Sequence, residues 1–240
     1  MKYYISDLHY YHNNVNNMDQ RGFENLEDMH SYMLKRWNQR VSDVDEVYLL
    51  GDFSFGNGVE SWEILSQLKG KITLIEGNHD SRFLDDKQFI DLFQSVAVYD
   101  EIRDDGRSVM LCHYPMPFYN KQYRRNKSGV SNTWMLYGHL HNTYDEYYIN
   151  RMLNELSLLE RVGVTGEMEK TPFNLINTFA MFSDYVPLTL NEWIEIDRKR
   201  RNLINIREKE AGGILSSQQW NELNLEMVTH SKNGWKDLDD

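Results

Sequence analysis

The chain repeats one scheme of hydrophobic and polar positions: a short apolar run that stops abruptly at Asp, Asn or His. Tyr3, Tyr4 and Ile5 are β-formers, and Asp7, His9 and His12 follow at once. "EVYLLGD" (46–52) predicts a buried strand closed by Gly51 and Asp52, and "KITLIEGNHD" (71–80) predicts another that runs into a polar turn. Residues 96–112 predict a hairpin around "DDG" (104–106), with His113 just past its second strand. "TWMLYGHLH" (133–141) is an apolar strand carrying His139 and His141 at its end. Between these runs the period changes. Leu26, Met29, Met33 and Trp37 recur at spacings of three and four, which predicts an amphipathic helix over 25–41 capped by Asn25 and Asp28. Val59–Leu68 predicts a second helix, with Gly70 in the C′ position. Further on, the pattern predicts a helix over 150–162, a strand over 172–179 and a helix over 189–201 opened by a Thr189/Glu192 capping box. A last helix starts at Ser216 and Gln219, after a break at "AGG" (211–213), and carries Trp220, Leu223 and Met227.

Alternating strands and helices make an α/β protein, and in such proteins ligands gather outside the carboxyl ends of the strands. Five polar strand ends can therefore build one site. Composition narrows what that site does. The 240 residues are 40% hydrophobic, enough for a packed core, and the net charge of -11 argues against a nucleic-acid-coating surface. Cys112 is the single cysteine, which excludes disulfides within the chain and thiolate zinc sites. No apolar run approaches the ~20 residues of a membrane span. "MKYYISD" has none of a secretory leader's features, so a cytoplasmic protein is expected.

Of eight histidines, six (His9, His12, His79, His113, His139, His141) fall at strand ends, while His30 and His230 read as structural. Imidazole, carboxylate and amide donors without thiolate suit divalent Mn, Fe, Co, Ni or Zn. Seven such ligands are too many for one tetrahedral ion and suit two ions sharing a carboxylate.

The blocks Asp7-Leu8-His9, Gly51-Asp52, Gly77-Asn78-His79-Asp80, His113 and Gly138-His139-Leu140-His141 occur in this order. In them the chain resembles the calcineurin-like metallophosphoesterases, over residues 3–141 and more weakly over 175–194. Within that superfamily it is similar to the small bacterial and phage branch with D-x-H-x-x-H-x-N and L-G-D-x-S-F-G. The resemblance implies a four-layer α/β/β/α sandwich of two mixed sheets flanked by helices over 1–197, with a helical C-terminal extension over 198–240. It implies two divalent ions, Mn²⁺ for preference over Fe²⁺, Ni²⁺ or Zn²⁺. Asp7, His9, Asp52 and His141 would hold the first; Asp52, Asn78, His113 and His139 would hold the second. A hydroxide between the ions would attack a phosphomonoester, phosphodiester or nucleotide, with a metal-dependent nuclease as the alternative. His79 would act on substrate as general acid or phosphate clamp, oriented by Asp80, and Asn78 would also touch substrate. The chain departs from the pattern at "INTF" (176–179), where relatives more often read N-V-G.

Two features fall outside the shared blocks. His12, three positions past His9, is placed to reach the substrate. The loop "NKQYRRNKSG" (120–129) carries Lys121, Arg124, Arg125 and Lys127, expected to recruit an anionic substrate, with Tyr119 and Tyr123 as stacking surfaces for a nucleotide or nucleic acid. Nucleic acid is the less favoured partner and no membrane is expected. The oligomeric state is open, with the C-terminal extension as its candidate contact. The run Arg198–Arg201 reads as a solvated helix end.

Overall fold

In the computed structural model, which describes residues 1–84, 87–163 and 166–238, the first apolar runs pair as parallel strands. β1 (Lys2–Ile5) leads through the short helix α1 (Val15–Met18) and α2 (Leu26–Arg40) to β2 (Glu46–Leu49). α3 (Gly58–Leu65), β3 (Lys71–Ile75), the short helices α4 (Ser81–Leu84) and α5 (Lys87–Ile90), and β4 (Ser95–Ala97) follow. These strands form an all-parallel sheet in the order β1-β2-β3-β4. The expected cap of α2 forms: the Asn25 side chain accepts the Asp28 backbone N–H at 2.8 Å. α3 stops at Leu65, earlier than its pattern suggested, because residues 66–70 turn the chain into β3. Gly70 takes φ 99° there, and a Cβ on it would lie 2.8 Å from Val41 Cγ1.

The second sheet is mixed. β5 (Tyr99–Asp104) and β6 (Arg107–Cys112) form the expected hairpin, closed by Asp105 and Gly106, both at positive φ as a type I′ turn requires. β7 (Thr133–Tyr137) pairs with β6 in parallel. α6 (Tyr144–Leu158) starts six residues before the expected 150–162 helix, and residues 160–162 form β8 (Glu160–Val162), which pairs with β9 (Met168–Lys170). β10 (Leu175–Asn177) completes the order β10-β7-β6-β5. Alternation along β6 shows how the layers divide. Val109 and Leu111 join the large core that also holds Ile5, Leu49 and Leu74, while Met110 packs on the other face with Met135 and Leu153 of α6.

α7 (Leu190–Ala211) opens with the Thr189/Glu192 capping box and ends ten residues beyond the expected 201, at Gly212 in the left-handed region. It runs unbroken through 197–198, and the main core takes in Trp193, Leu203, Trp220 and Trp235. α8 (Ser217–Lys232) carries its Ser216/Gln219 capping box. The basic run 198–201 is solvated only at Arg198: Arg200 is 1% exposed and pairs with Glu146 at 3.0 Å, and Arg201 pairs with Asp197 at 2.6 Å. Their positions on α7 face α6 and β10, so the charges are spent inside the protein. Among the described residues, no helix is long and apolar enough to cross a membrane.

Candidate metal centre

The carboxyl ends of β1, β2, β3, β6 and β7 bring the polar blocks to one edge of the two sheets. Parallel hydrogen bonding sets this up: Asp7 N–H donates to the Gly51 carbonyl and His9 N–H to that of Asp52, each at 3.0 Å. Five of the seven expected ligands, Asp7, His9, Asp52, His139 and His141, have φ between 48° and 71°. Non-glycine residues adopt this region at a cost, and such strain gathers where side chains must be aimed.

Ligand atoms of Asp7, His9, Asp52 and His141 lie within 4.8 Å of one another, and all four residues are buried. The Nε2 atoms of His9 and His141 meet at 2.9 Å, and His9 Nε2 is 3.5 Å from Asp52 Oδ2. A second convergence shares Asp52: His113 Nε2 lies 3.5 Å from Asp52 Oδ2 and 3.1 Å from Asn78 Oδ1, which is 2.9 Å from His139 Nδ1. His113 Nδ1 donates to the Leu50 carbonyl at 2.8 Å, which turns Nε2 inward towards Asp52. Burial pulls His113 down, yet the Asp52 and Asp7 carboxylates outweigh it and carry the ring up to about 9. The cluster therefore asks for positive charge. Asp7 Oδ2 and His9 Nδ1 are buried with no hydrogen-bond partner among the described residues, and a Cβ on Gly138 would lie 2.5 Å from Asp7 Oδ2. A buried, unpaired carboxylate oxygen beside imidazole lone pairs fits a divalent cation.

Asp80 departs from its expected part. Its carboxylate accepts the backbone N–H groups of Asp52 (2.9 Å), Phe53 (2.9 Å) and Gly77 (2.8 Å), and it is fully buried. It ties the β2 and β3 loops together; the His79 ring instead faces Asp52 Oδ2 at 3.9 Å. Burial and the Asp52 charge push Asp80 up to about 7, against these three N–H donors. His12 and His79 line the mouth of the site. The His12 ring stacks on Phe55 at 3.9 Å and 9°, His79 meets Phe55 at 4.3 Å, and the Arg82 guanidinium sits 5.0 Å over the same ring.

The basic loop is directed elsewhere. Lys121 pairs with Glu101 at 2.8 Å, and Arg125 donates to the carbonyls of Gly129 and Lys170, both at 3.1 Å. Arg124 is exposed in the same stretch, and neither arginine contacts a donor of the two clusters among the described contacts. Tyr119 is buried and accepts the Asn174 N–H, while Arg161 covers the Tyr123 ring at 3.6 Å. The Tyr119 ring is closed to stacking, while Tyr123 stays 41% exposed with Arg161 over its ring.

Asp19 and Arg21 carry functions that the sequence did not single out. Asp19 Oδ1 accepts from His141 Nδ1 at 2.9 Å, fixing that tautomer, and Asp19 Oδ2 pairs with Arg21 at 2.9 Å. Arg21 also donates to the carbonyls of Leu8 (2.7 Å) and Asp7 (3.1 Å). Burial resists charge on Asp19, but Arg21 and His141 outweigh it and hold the carboxyl below its usual range. Both residues lie in a connecting segment with no periodicity or motif to mark them. The "INTF" segment also serves the site. Asn177 donates to the His141 carbonyl at 2.9 Å, and the Phe179 ring stacks on His141 at 4.8 Å. Asp19→Asn is expected to weaken cation binding at His141 by roughly 10–100-fold, the usual cost of losing a histidine's carboxylate partner. Titration of a metal-stripped sample measures it, and unchanged affinity would contradict the role.

The two remaining histidines are structural, as expected. His230 Nδ1 pairs with Asp237 at 2.8 Å. His30 Nε2 accepts the Tyr11 backbone N–H at 2.9 Å, which needs a neutral ring, and burial followed by the Arg21 charge lowers its pKa to about 4. The unfolded chain takes up that proton near pH ~6.5. Stability from His30 is thus complete above ~6.5 and lost as pH falls towards 4, by on the order of 3 kcal/mol. His30→Gln should flatten the urea midpoint between those pH values; a slope equal to wild type would refute this.

The family model of the calcineurin-like phosphoesterase superfamily domain matches residues 3–182. The chain is 36% identical over 152 residues to the uncharacterized protein MJ1445 of Methanocaldococcus jannaschii, covering 62% of this chain and 74% of that protein. It is also similar to the crystal structure of a protein of unknown function, AQ665, from Aquifex aeolicus, with a TM-score of 0.53 and 23% identity over 82% of this chain and 98% of that one. At that identity the likeness concerns the fold alone. Every donor of both clusters lies inside residues 3–182, and the chain belongs to the calcineurin-like phosphoesterase superfamily.

Proposed function

We propose that the protein hydrolyses a small phosphomonoester or phosphodiester, nucleotides included, with two divalent cations, Mn²⁺ for preference. Asp7, His9, Asp52 and His141 would hold one, and Asp52, Asn78, His113 and His139 the other. The observation that carries this reading is the meeting of both donor sets at Asp52 Oδ2, 3.5 Å from His9 and from His113. When bound, the two cations would acidify a water between them and neutralise the phosphoryl oxygens. The chain's own residues supply the rest. Asp80 holds the loops of Asp52 and Asn78 in register through its backbone N–H bonds. Burial lowers the His79 pKa against the opposing Asp52 carboxylate, which favours a neutral ring that donates a hydrogen bond to a phosphoryl oxygen as a clamp. His12, stacked on Phe55, is placed to meet the leaving group from the same mouth, and Arg82 adds a positive charge there. A small ester is preferred to nucleic acid because Tyr119 is buried, Lys121 is paired, and the net charge is -11.

The test is a phosphate-release panel of monoesters, diesters and nucleotides on metal-stripped protein, with Mn²⁺, Ni²⁺ or Zn²⁺ restored, run beside His12→Ala. Turnover should appear only with metal, and His12→Ala should keep both ions and lose turnover by about 10²-fold, the scale of one proton-handling group. Hydrolysis of none of the esters with any of the three metals would overturn the reading. Activity confined to DNA or RNA and falling steeply with salt would replace it with the nuclease.

A further inference from the structure

Residues 183–238 lie outside the segment matched to the family, yet α8 among them reaches the ligand His141 through hydrogen bonds in series. From α8, Trp220 Nε1 donates to the carbonyls of Asn142 (3.0 Å) and Thr143 (2.8 Å). One turn on, Asn224 Nδ2 donates to the same Asn142 carbonyl at 2.5 Å. Asn142 follows His141 in the chain, and its own Nδ2 donates to the Asp19 carbonyl at 3.2 Å. The Asp19 carboxylate then holds His141 Nδ1 at 2.9 Å. Trp220 is fully buried and Asn224 nearly so.

Two further observations give this series a purpose beyond packing. His141 sits at φ 48°, a conformation that persists only where the surroundings hold it, and α8 supplies donors at the very next peptide. Asn224 also keeps its Oδ1 buried with no hydrogen-bond partner. Leucine would fill that place without stranding an acceptor, so the amide is explained by what its N–H does for Asn142. The start of α8 is pinned to the same region: Leu215 N–H donates to Tyr147 Oη at 2.8 Å, and Tyr144 Oη donates back to the Leu215 carbonyl at 2.5 Å.

We propose that Trp220 and Asn224 are positioning residues for His141, so that the C-terminal helix sets the affinity of the first cation site. The proposal rests on the metal-dependent reading above. It is tested by titrating diamagnetic Zn²⁺ calorimetrically into metal-stripped wild type, Asn224→Leu, Trp220→Phe and Gln218→Ala, a control on the exposed side of α8. The thermal midpoint and the His141 Nδ1–H resonance are recorded for each protein. One Zn²⁺ affinity, that whose filling shifts the His141 resonance, should fall about 10-fold in both Asn224→Leu and Trp220→Phe, near the lower end of what a ligand's supporting partners are worth. The other affinity should hold, and Gln218→Ala should match wild type. Either variant suffices if the other fails to fold. Two unchanged affinities in a variant would overturn the proposal. So would an equal fall in both that tracks a lower thermal midpoint, since that is destabilisation alone. Wild type that takes up neither Zn²⁺ nor Mn²⁺ would instead remove the metal-dependent reading itself.

Discussion

Asp52→Asn is expected to lower turnover of any phosphoester the protein hydrolyses by about 10³-fold or more, while the metal-free variant folds as well as wild type. Losing one preorganised electrostatic group in an active site costs roughly 10²–10³-fold, and Asp52 belongs to both donor sets. Its Oδ2 stands 3.5 Å from His9 Nε2 and from His113 Nε2, and its Oδ1 accepts the His79 N–H at 2.9 Å. Asparagine has the same shape and can keep that last bond. What it lacks is negative charge at the one atom on which imidazoles of both donor sets converge. Each cation would lose an anionic ligand, so metal content should fall together with rate. The fold should survive, because the backbone of residue 52 is held independently, its N–H by Asp80 and its carbonyl by the His9 N–H. Turnover, metal content by mass spectrometry and the thermal midpoint of the metal-free protein measure the three parts. Equal rates for variant and wild type would defeat the mechanism.

The same residue shows what could be read from the chain beforehand. Asp52 announces itself because a polar residue directly after "VYLLG" has no reason to be there in a buried strand unless the strand end is a site. Strand ends, hairpin turn and helix caps were all legible for this reason: each depends on residues adjacent in sequence. Asp105-Gly106 and the capping boxes of α7 and α8 appear where the pattern put them. What was not legible depends on which distant segment arrives. Asp80 sits inside a recognisable block, but its partners are backbone N–H groups of the β2 loop, which no side-chain pattern records. Asp19 and Arg21 belong to no motif and become part of the site only because the loop after α1 folds over His141. The positive φ at the five ligands is equally hidden, since Asp and His in a sequence carry no mark of left-handed backbone. Charge runs mislead in the opposite direction. Lys121 and Arg125 look available for an anionic substrate, and Arg200 and Arg201 for solvent, yet each is paired or bonded within the protein.

Arg200 gives that last point its largest consequence. Arg200→Met should destabilise the protein by about 3–5 kcal/mol, the cost of removing one partner from a buried ion pair. For a chain of this size that is a fall in thermal midpoint of roughly 6–20 °C. Arg200 is 1% exposed, bonds Glu146 Oε1 at 3.0 Å and lies 3.5 Å over the Phe182 ring. Glu146 is equally buried and also receives Tyr137 Oη and Asn150 Nδ2, both at 2.9 Å. Methionine fills most of the volume, so the expected loss is not a cavity but a carboxylate left with neutral donors only. One further measurement separates these causes. Glu146→Gln in the Arg200→Met background should recover a large part of the loss, because the amide keeps an acceptor for Tyr137 and brings no charge. A midpoint within about 2 °C of wild type would show that the pair contributes little. The pair joins α7 to α6, and Tyr137 brings in β7, the strand that ends at the His139 and His141 loop. A loosened Arg200 should therefore reach the metal centre indirectly: wherever Arg200→Met lowers stability, the Asp52-dependent activity should be lost at lower urea than in wild type.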